Sequence, residues 1–268
     1  MLTLSLKNKE TTKQERSRKG ETYLVFKNYP YQLGDYFELT LSEPNQLVWV
    51  QMDAAIEPSL IYVEGTTWRY QVILDEKLGL AYSPNVFKGT RHFVKAWLPT
   101  IDEINAYRNL AKNSHDQKDD SKGYPHAYAN VETRNDSTFF ARNAIDGIVA
   151  NENHGSYPYQ SWGINQRADA QITIDFAREV LIDKVALVLR GDYPHDSYWT
   201  RVTLELSTGD EYVLDTTNAL DRQFFDIPST VVTSVTLKNL IKHEDDSPFP
   251  ALTQIEVFGK EYSQEFDL

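Results

Sequence analysis

Three observations predict an all-β chain of two β-sandwich domains with a connecting helix, the second domain a jelly roll. Short segments on both sides of the chain's middle alternate apolar and polar side chains with a period of two, as half-buried strands do. In the second half strand-like runs follow one another with no helical pattern between them, which argues against a parallel βαβ sheet. Between the halves, Asn113 to Gly123 runs for eleven residues without an aliphatic side chain and reads as a domain boundary.

Composition sets the outer bounds. A chain of 268 residues can bury two modest cores, and 41% hydrophobic with 25% charged residues fits a soluble globular protein. With 16 Tyr and 5 Trp, aromatic content reaches 12%, suited to pleated half-buried faces and to recognition patches alike. A net charge of -12 and a pI near 5.0 argue against nucleic acid or an anionic membrane as the main partner, since both reward a basic face. The absence of cysteine excludes disulfide staples and thiol catalysis, and leaves the redox compartment open.

Met1 to Leu6 is too short an apolar run, with its positive charge on the wrong side, for a secretory signal; the chain is read as cytoplasmic. Residues 1–20 are expected as a mobile N-terminal segment, the polar stretch from Lys7 onward being mobile or at a sheet edge. Residues 21–98 read as an N-terminal β-sandwich, with Phe37, Leu39 and Leu41 on one face of a strand and Tyr36, Glu38 and Thr40 on the other. Trp49, Trp68 and Trp97 are expected in the core or at a domain interface. Residues 99–123 read as helix and linker: Thr100 and Glu103 have capping-box spacing, and the helix is expected over about 100–112. In the jelly roll, residues 124–260, a short helical stretch near Phe139–Ile145 ends at Asp146-Gly147 and strands follow to Ile255–Phe258. Residues 261–268 read as a tail.

Two loop-prone stretches carry the chemistry. Gly191 to Trp199, after the strand-like run ending at Arg190, sets Tyr198 and Trp199 beside Asp192, His195 and Asp196; His154 to Gly163 again mixes rings, including Trp162, with short polar groups. Sugars suit such surfaces, because their C–H faces stack on rings while their hydroxyls need planar donors and acceptors. The other reading is a pair of turns whose rings plug the end of a core.

Asn143-Ala144-Ile145-Asp146-Gly147, Ser161-Trp162-Gly163, Ile172 to Phe176, Ile182 to Val185 and the closing Gln254 to Gly259 occur in the order and spacing of the discoidin, or coagulation-factor type C, domains. Over residues 124–260 the chain resembles this galactose-binding-like family, in its carbohydrate-binding branch; it departs in a longer insert from Ile148 to Ser161 and in lacking the disulfide of extracellular members. The resemblance implies an eight-stranded jelly roll that binds glycans, or in other branches lipids or proteins, through loops at one end. For this chain it leads to a non-catalytic carbohydrate-binding protein, with Trp162, Tyr198 and Trp199 as stacking platforms and Arg190, Asp192, His195 and Asp196 as hydroxyl partners. Asn218 and Phe249 would complete the wall. A salt bridge from Arg190 to Asp192 or Asp196 that only pins the loop is the alternative. The resemblance also implies a structural calcium, for which Asn143, Asp146 and Glu256 supply oxygens; otherwise Asp146 simply caps the Asp-Gly turn.

Two other classes stay open. A glycan-processing enzyme could use His195 or His154 with Asp196, Asp192 or Glu152, although no nucleophile elbow, phosphate loop or zinc-ligand spacing is present. A protein-interaction module would dock its partner on the N-terminal domain, which resembles no family.

Overall fold

The computed structural model describes residues 1–191 and 196–262. Leu2, Leu4 and Leu6 alternate in sequence, share one face of β1 (Leu2–Asn8) and are buried. The next strand, β2 (Thr11–Arg18), pairs antiparallel with β1 and stands at the edge of its sheet with almost every residue exposed. A mobile segment over residues 1–20 is therefore not what forms: three leucines anchor the chain at its start, and only the edge position of the polar stretch agrees with expectation.

After β3 (Glu21–Lys27), β4 (Asp35–Leu41), β5 (Gln46–Gln51), β6 (Ser59–Val63) and β7 (Thr67–Gln71) come the short helix α1 (Glu76–Gly79) and β8 (Arg91–Trp97). Strands in the order β2-β1-β4-β7 make one sheet; β10 (Gly123–Tyr124) adds to the other, ordered β10-β6-β5-β8-β3. The inner faces of both sheets close on one cluster that includes Leu4, Phe37, Val48, Val50, Trp68 and Val94. Trp68 is in the core, as the sequence suggests. Trp49 and Trp97 are only partly buried instead, because the parity that turns Val48, Val50, Val94 and Ala96 inward turns both indoles outward. They pair directly across β5 and β8, ring centroids 5.8 Å apart and stacked.

The Thr100–Glu103 capping box forms, yet α2 (Ile101–Asn105) is only five residues long. The chain then extends into β9 (Arg108–Asn109), and Leu110 and Ala111 enter the second core. Burial of those two side chains overrides the helix expected to about residue 112.

The first part of the interval expected as a linker, Asn113 to Gln117, is a buried strap, while Lys118, Asp119, Asp120 and Lys122 after it are exposed. On one side Met52 N–H donates to His115 Nε2 (3.0 Å), Ser114 N–H donates to Ser59 Oγ (2.9 Å), and Gln117 exchanges two hydrogen bonds with the Gln71 backbone. On the other, Asp116 accepts from Ala127 N–H and lies 2.8 Å from His126 Nδ1, while Asn113 N–H donates to Ile145 O. Polar side chains serve this seam better than aliphatic ones because each satisfies a buried backbone group. Burial, with Arg142 acting in the same sense, pushes the His115 imidazole down to about 3. Burial raises the Asp116 carboxyl and outweighs its partner His126; burial would lower His126, but Asp116 outweighs it and raises it.

The second half contains β11 (His126–Ala129), three short 3-10 turns between Thr133 and Ile145, β12 (Trp162–Gly163), β13 (Ile172–Leu189), β14 (Trp199–Leu206), β15 (Glu211–Asp215), β16 (Gln223–Lys242) and β17 (Ala251–Glu261). All pairings are antiparallel in the order β12-β17-β13-β16-β14-β15, with β11 on the first part of β13 and β9 on the last part of β17. Between Asp175 and Val180 the register of β13 shifts, with Ala177 at φ 51°, so one long strand pairs with β11 before the shift and with β17 after it. The ladder closes on a second apolar cluster, the jelly-roll core the motifs imply. Glu261 is part of β17, held by Arg108 and Arg178, not of a tail; residues 263–268 are outside the described set.

Candidate functional site

At one end of the jelly roll three strand ends converge. Trp162 pairs with Leu252 and Gly163 with Ala251, joining β12 to the start of β17; Arg190, just past β13, donates its N–H to Ala251 O at 3.3 Å. Between them opens a hollow of about 260 Å³ bounded by Arg190, Phe139, Ile164, Phe249, Arg134 and Asn165. Its floor is tight: a Cβ on Gly163 would stand 2.6 Å from Thr133 Oγ1. Phe249 is 41% exposed at the rim. Arg190 is 2% exposed, its guanidinium 5.7 Å from the Phe139 ring centroid with Nη1 donating to Ser161 Oγ at 2.9 Å. An adjoining hollow of about 460 Å³ shares the wall of Ile164, Gln166 and Pro250. An exposed ring beside a fixed guanidinium and loop amides offers a stacking face with oriented donors and acceptors.

Arg190 and Phe249 are the two sequence-selected residues that line this groove. Trp162 and Trp199 are not platforms: neither has exposed surface, their ring centroids are 6.5 Å apart, and Trp162 Nε1 donates to Val131 O within the fold. Both sit in short or opening strand positions whose inward parity sends the indole into the core end, as the alternative reading had it. Tyr198 stacks on His243 at 4.8 Å, and Asp196 is exposed; neither is among the lining residues. Asn218 belongs to a loop whose Leu220 packs against Gly191 and Asn151, off the groove. Asp192 and His195 lie outside the described residues. The sequence reading missed Phe139, Arg134, Ile164, Asn165 and Gln166. The last two follow Trp162-Gly163 at positive φ, and a Gly-x-Asn-Gln turn after a strand is the signal that could have found them.

The residues named for calcium do not fit a hard cation in this arrangement. Asp146 accepts from Gln160 Nε2 (2.7 Å), Ile148 N–H (2.9 Å) and Gln254 Nε2 (3.0 Å), and Arg142 Nη2 lies 3.9 Å away. Asn143 O accepts from Gln254, Asn143 Oδ1 accepts from Arg142, and Glu256 accepts from Arg222 at 2.8 Å. Lone pairs that a cation would need are thus filled by N–H donors. Burial pushes the Asp146 carboxyl up despite Arg142 and these donors. Gly147, at φ 87°, donates to Gln254 Oε1, so the Asp-Gly turn is tied down by side-chain amides.

A larger hollow of about 700 Å³ lies between the halves, but its cations Arg69, Lys118, Lys122 and Arg142 are each paired with a carboxylate. The groove at the jelly-roll end is the better candidate.

No protein-family model matches the chain, and no curated protein matches it. Solved structures do. The lectin domain of lectinolysin complexed with Lewis B antigen is 18% identical, with a TM-score of 0.41 over 57% of this chain and 96% of that one. Chitosan-binding module 1 of a chitosanase/glucanase from Paenibacillus sp. IK-5 is 18% identical, with a TM-score of 0.38 over 56% of this chain and 98% of that one. A family 32 carbohydrate-binding module from C. perfringens NanJ, in complex with galactose, is 13% identical, with a TM-score of 0.38 over 49% and 91%. Likeness at this level says nothing of a ligand for this chain; the jelly-roll assignment stands on its strand order.

Proposed function

We propose that the C-terminal half binds a glycan without catalysis, in the groove between Phe249 and Arg190. The observation that carries this reading is the pairing of a half-exposed ring at the rim with a guanidinium held in place by Phe139, Ser161 and the strand end beneath it. A pyranose laid on Phe249 would bury its C–H face, and the arginine fork and the Asn165–Gln166 turn would serve its hydroxyls. A groove this small returns little energy once hydroxyls are desolvated, so a Kd of about 10 μM to 1 mM is expected for one short glycan.

The full chain is screened on a glycan array that includes galactose, Lewis b and chitosan oligomers, and the best ligand is titrated. Phe249→Ala should weaken it by about 1–3 kcal/mol with the melting temperature unchanged. Unchanged affinity would move the site elsewhere. The bound glycan should be recovered intact after long incubation; new reducing ends would make the chain a glycan-processing enzyme instead.

A further inference from the structure

We propose that the outer face and edge formed by β2, β3 and β8 is a second binding surface, and that its partner is an acidic polysaccharide bearing carboxylate or sulfate groups. This inference stands independently of the groove in the other half.

The chain is acidic overall, with 39 Asp and Glu against 27 Lys and Arg. These three strands reverse the balance, with six basic residues and two acidic ones. Among the described residues Arg16, Arg18, Lys27, Arg91 and Lys95 make no ion pair, whereas Arg178, Arg201, Arg222 and Lys238 of the other half are each paired. A protein with so many carboxylates has left one cationic face unneutralised.

Rings, not acids, hold several of these cations. The Arg16 guanidinium lies 4.4 Å and that of Arg18 5.5 Å from the Tyr23 ring centroid, and Lys95 Nζ is 4.1 Å from that of Trp97, itself stacked on Trp49. A ring orients a cation without cancelling its charge, so the N–H donors are placed in advance for an external anion. Strand register arranges them in two groups. Lys27 pairs with Arg91 at one end; Lys95 pairs with Tyr23, under Arg16 and Arg18, at the other. The groups are about 13 Å apart along β8 at the usual rise of a strand. Val25 and Phe93, paired and roughly half-exposed, fill the interval.

This alternation of cation, apolar patch and cation selects among polyanions. Single-stranded nucleic acid needs open ring faces for its bases, and here Tyr23 and Trp97 are already faced by cations. Duplex nucleic acid, with a charge every ~1.7 Å, would meet strong repulsion from the rest of an acidic chain. An anionic bilayer wants a broad apolar face beyond a basic rim, but here a single Val25–Phe93 pair stands between two groups of cations. A polysaccharide presents uncharged C–H faces between separated acid groups, which matches the order on the sheet.

The test measures binding of the full chain to immobilised heparin and polygalacturonate, with dextran as the neutral control. The native chain should be retained on at least one acidic polymer, pass dextran, and elute with rising salt. Arg16→Gln with Arg18→Gln, and separately the exposed-face change Lys95→Gln, should each weaken binding, the double change by about tenfold or more. Both variants should keep the native melting temperature and the groove's glycan affinity, while Phe249→Ala should keep polyanion binding, so failure of either site is read without the other. No retention of the native chain, unchanged affinity in Lys95→Gln, or tighter binding to a single-stranded oligonucleotide or to phosphatidylserine vesicles would overturn the proposal.

Discussion

Trp199 and Phe249 show how burial divides the work of aromatic residues within one end of a sandwich. Trp199 has no exposed surface and touches Trp162, whereas Phe249 keeps 41% of its own. Trp199→Ala should therefore cost about 3–5 kcal/mol of stability through an unfilled cavity, a loss that denaturant melts would register, while Phe249→Ala should cost under about 0.5 kcal/mol. A stable Trp199→Ala protein with lost glycan binding would reverse that assignment. Arg190 and Phe249 could be picked from sequence because a cation at a strand end and a ring between two prolines are both poor choices for a plain core. The tryptophans could not be placed, since an indole in a Gly- and Pro-rich stretch has the same local sequence whether it faces solvent or plugs a core. Asp146 is a similar case: the Asp-Gly pair is visible, but of the groups that saturate it only Arg142 is local, while Gln160 is 14 and Gln254 108 residues away. Melting curves in calcium and in chelator should coincide; a rise of several degrees with calcium would mean that those amides give way to the ion.

Single elements were legible where their pattern was local. The Thr100–Glu103 box marks the start of α2 correctly, because the cap is made by residues three apart. Its end was not legible, since what stops the helix is the burial of Leu110 and Ala111 against strands more than a hundred residues away. The N-terminus shows the converse. Leu2, Leu4 and Leu6 carry the period of a strand, but the polar run after them forms an edge strand exposed on both faces, which has the composition of a disordered segment. Leu4, wholly buried in the first core, gives the discriminating change. Leu4→Ala should destabilise by about 2–5 kcal/mol as read from urea melts, whereas a change within about 0.5 kcal/mol would return the segment to the mobile class.

At the scale of the molecule the two apolar cores are separate, and a polar strap runs between them. The strap from Asn113 to Gln117 has the composition of a linker because it lacks apolar side chains; in the fold that same lack lets it satisfy backbone groups on both sides of a buried seam. His115 makes the seam sensitive to acid. Its Nε2 accepts from Met52 N–H, so the ring must stay neutral, and burial holds it near 3, far below the ordinary value of about 6.5. A base depressed in the folded state contributes fully above about pH 6.5 and loses that contribution as pH falls towards 3. His126 works in the opposite sense: raised by Asp116, its contribution is present at lower pH and lost as pH rises through its folded value. A comparison of variants separates the two. His115→Gln keeps an acceptor for Met52 N–H but cannot take a proton, so its melting temperature should fall less steeply than that of the native chain between about pH 6 and 4. Over the same interval exchange of the Met52 amide should quicken in the native chain before exchange in β13 does, because the seam opens ahead of either core. Parallel melting curves, or Met52 and β13 exchanging together, would mean that His115 is only a spacer and that the halves unfold as one.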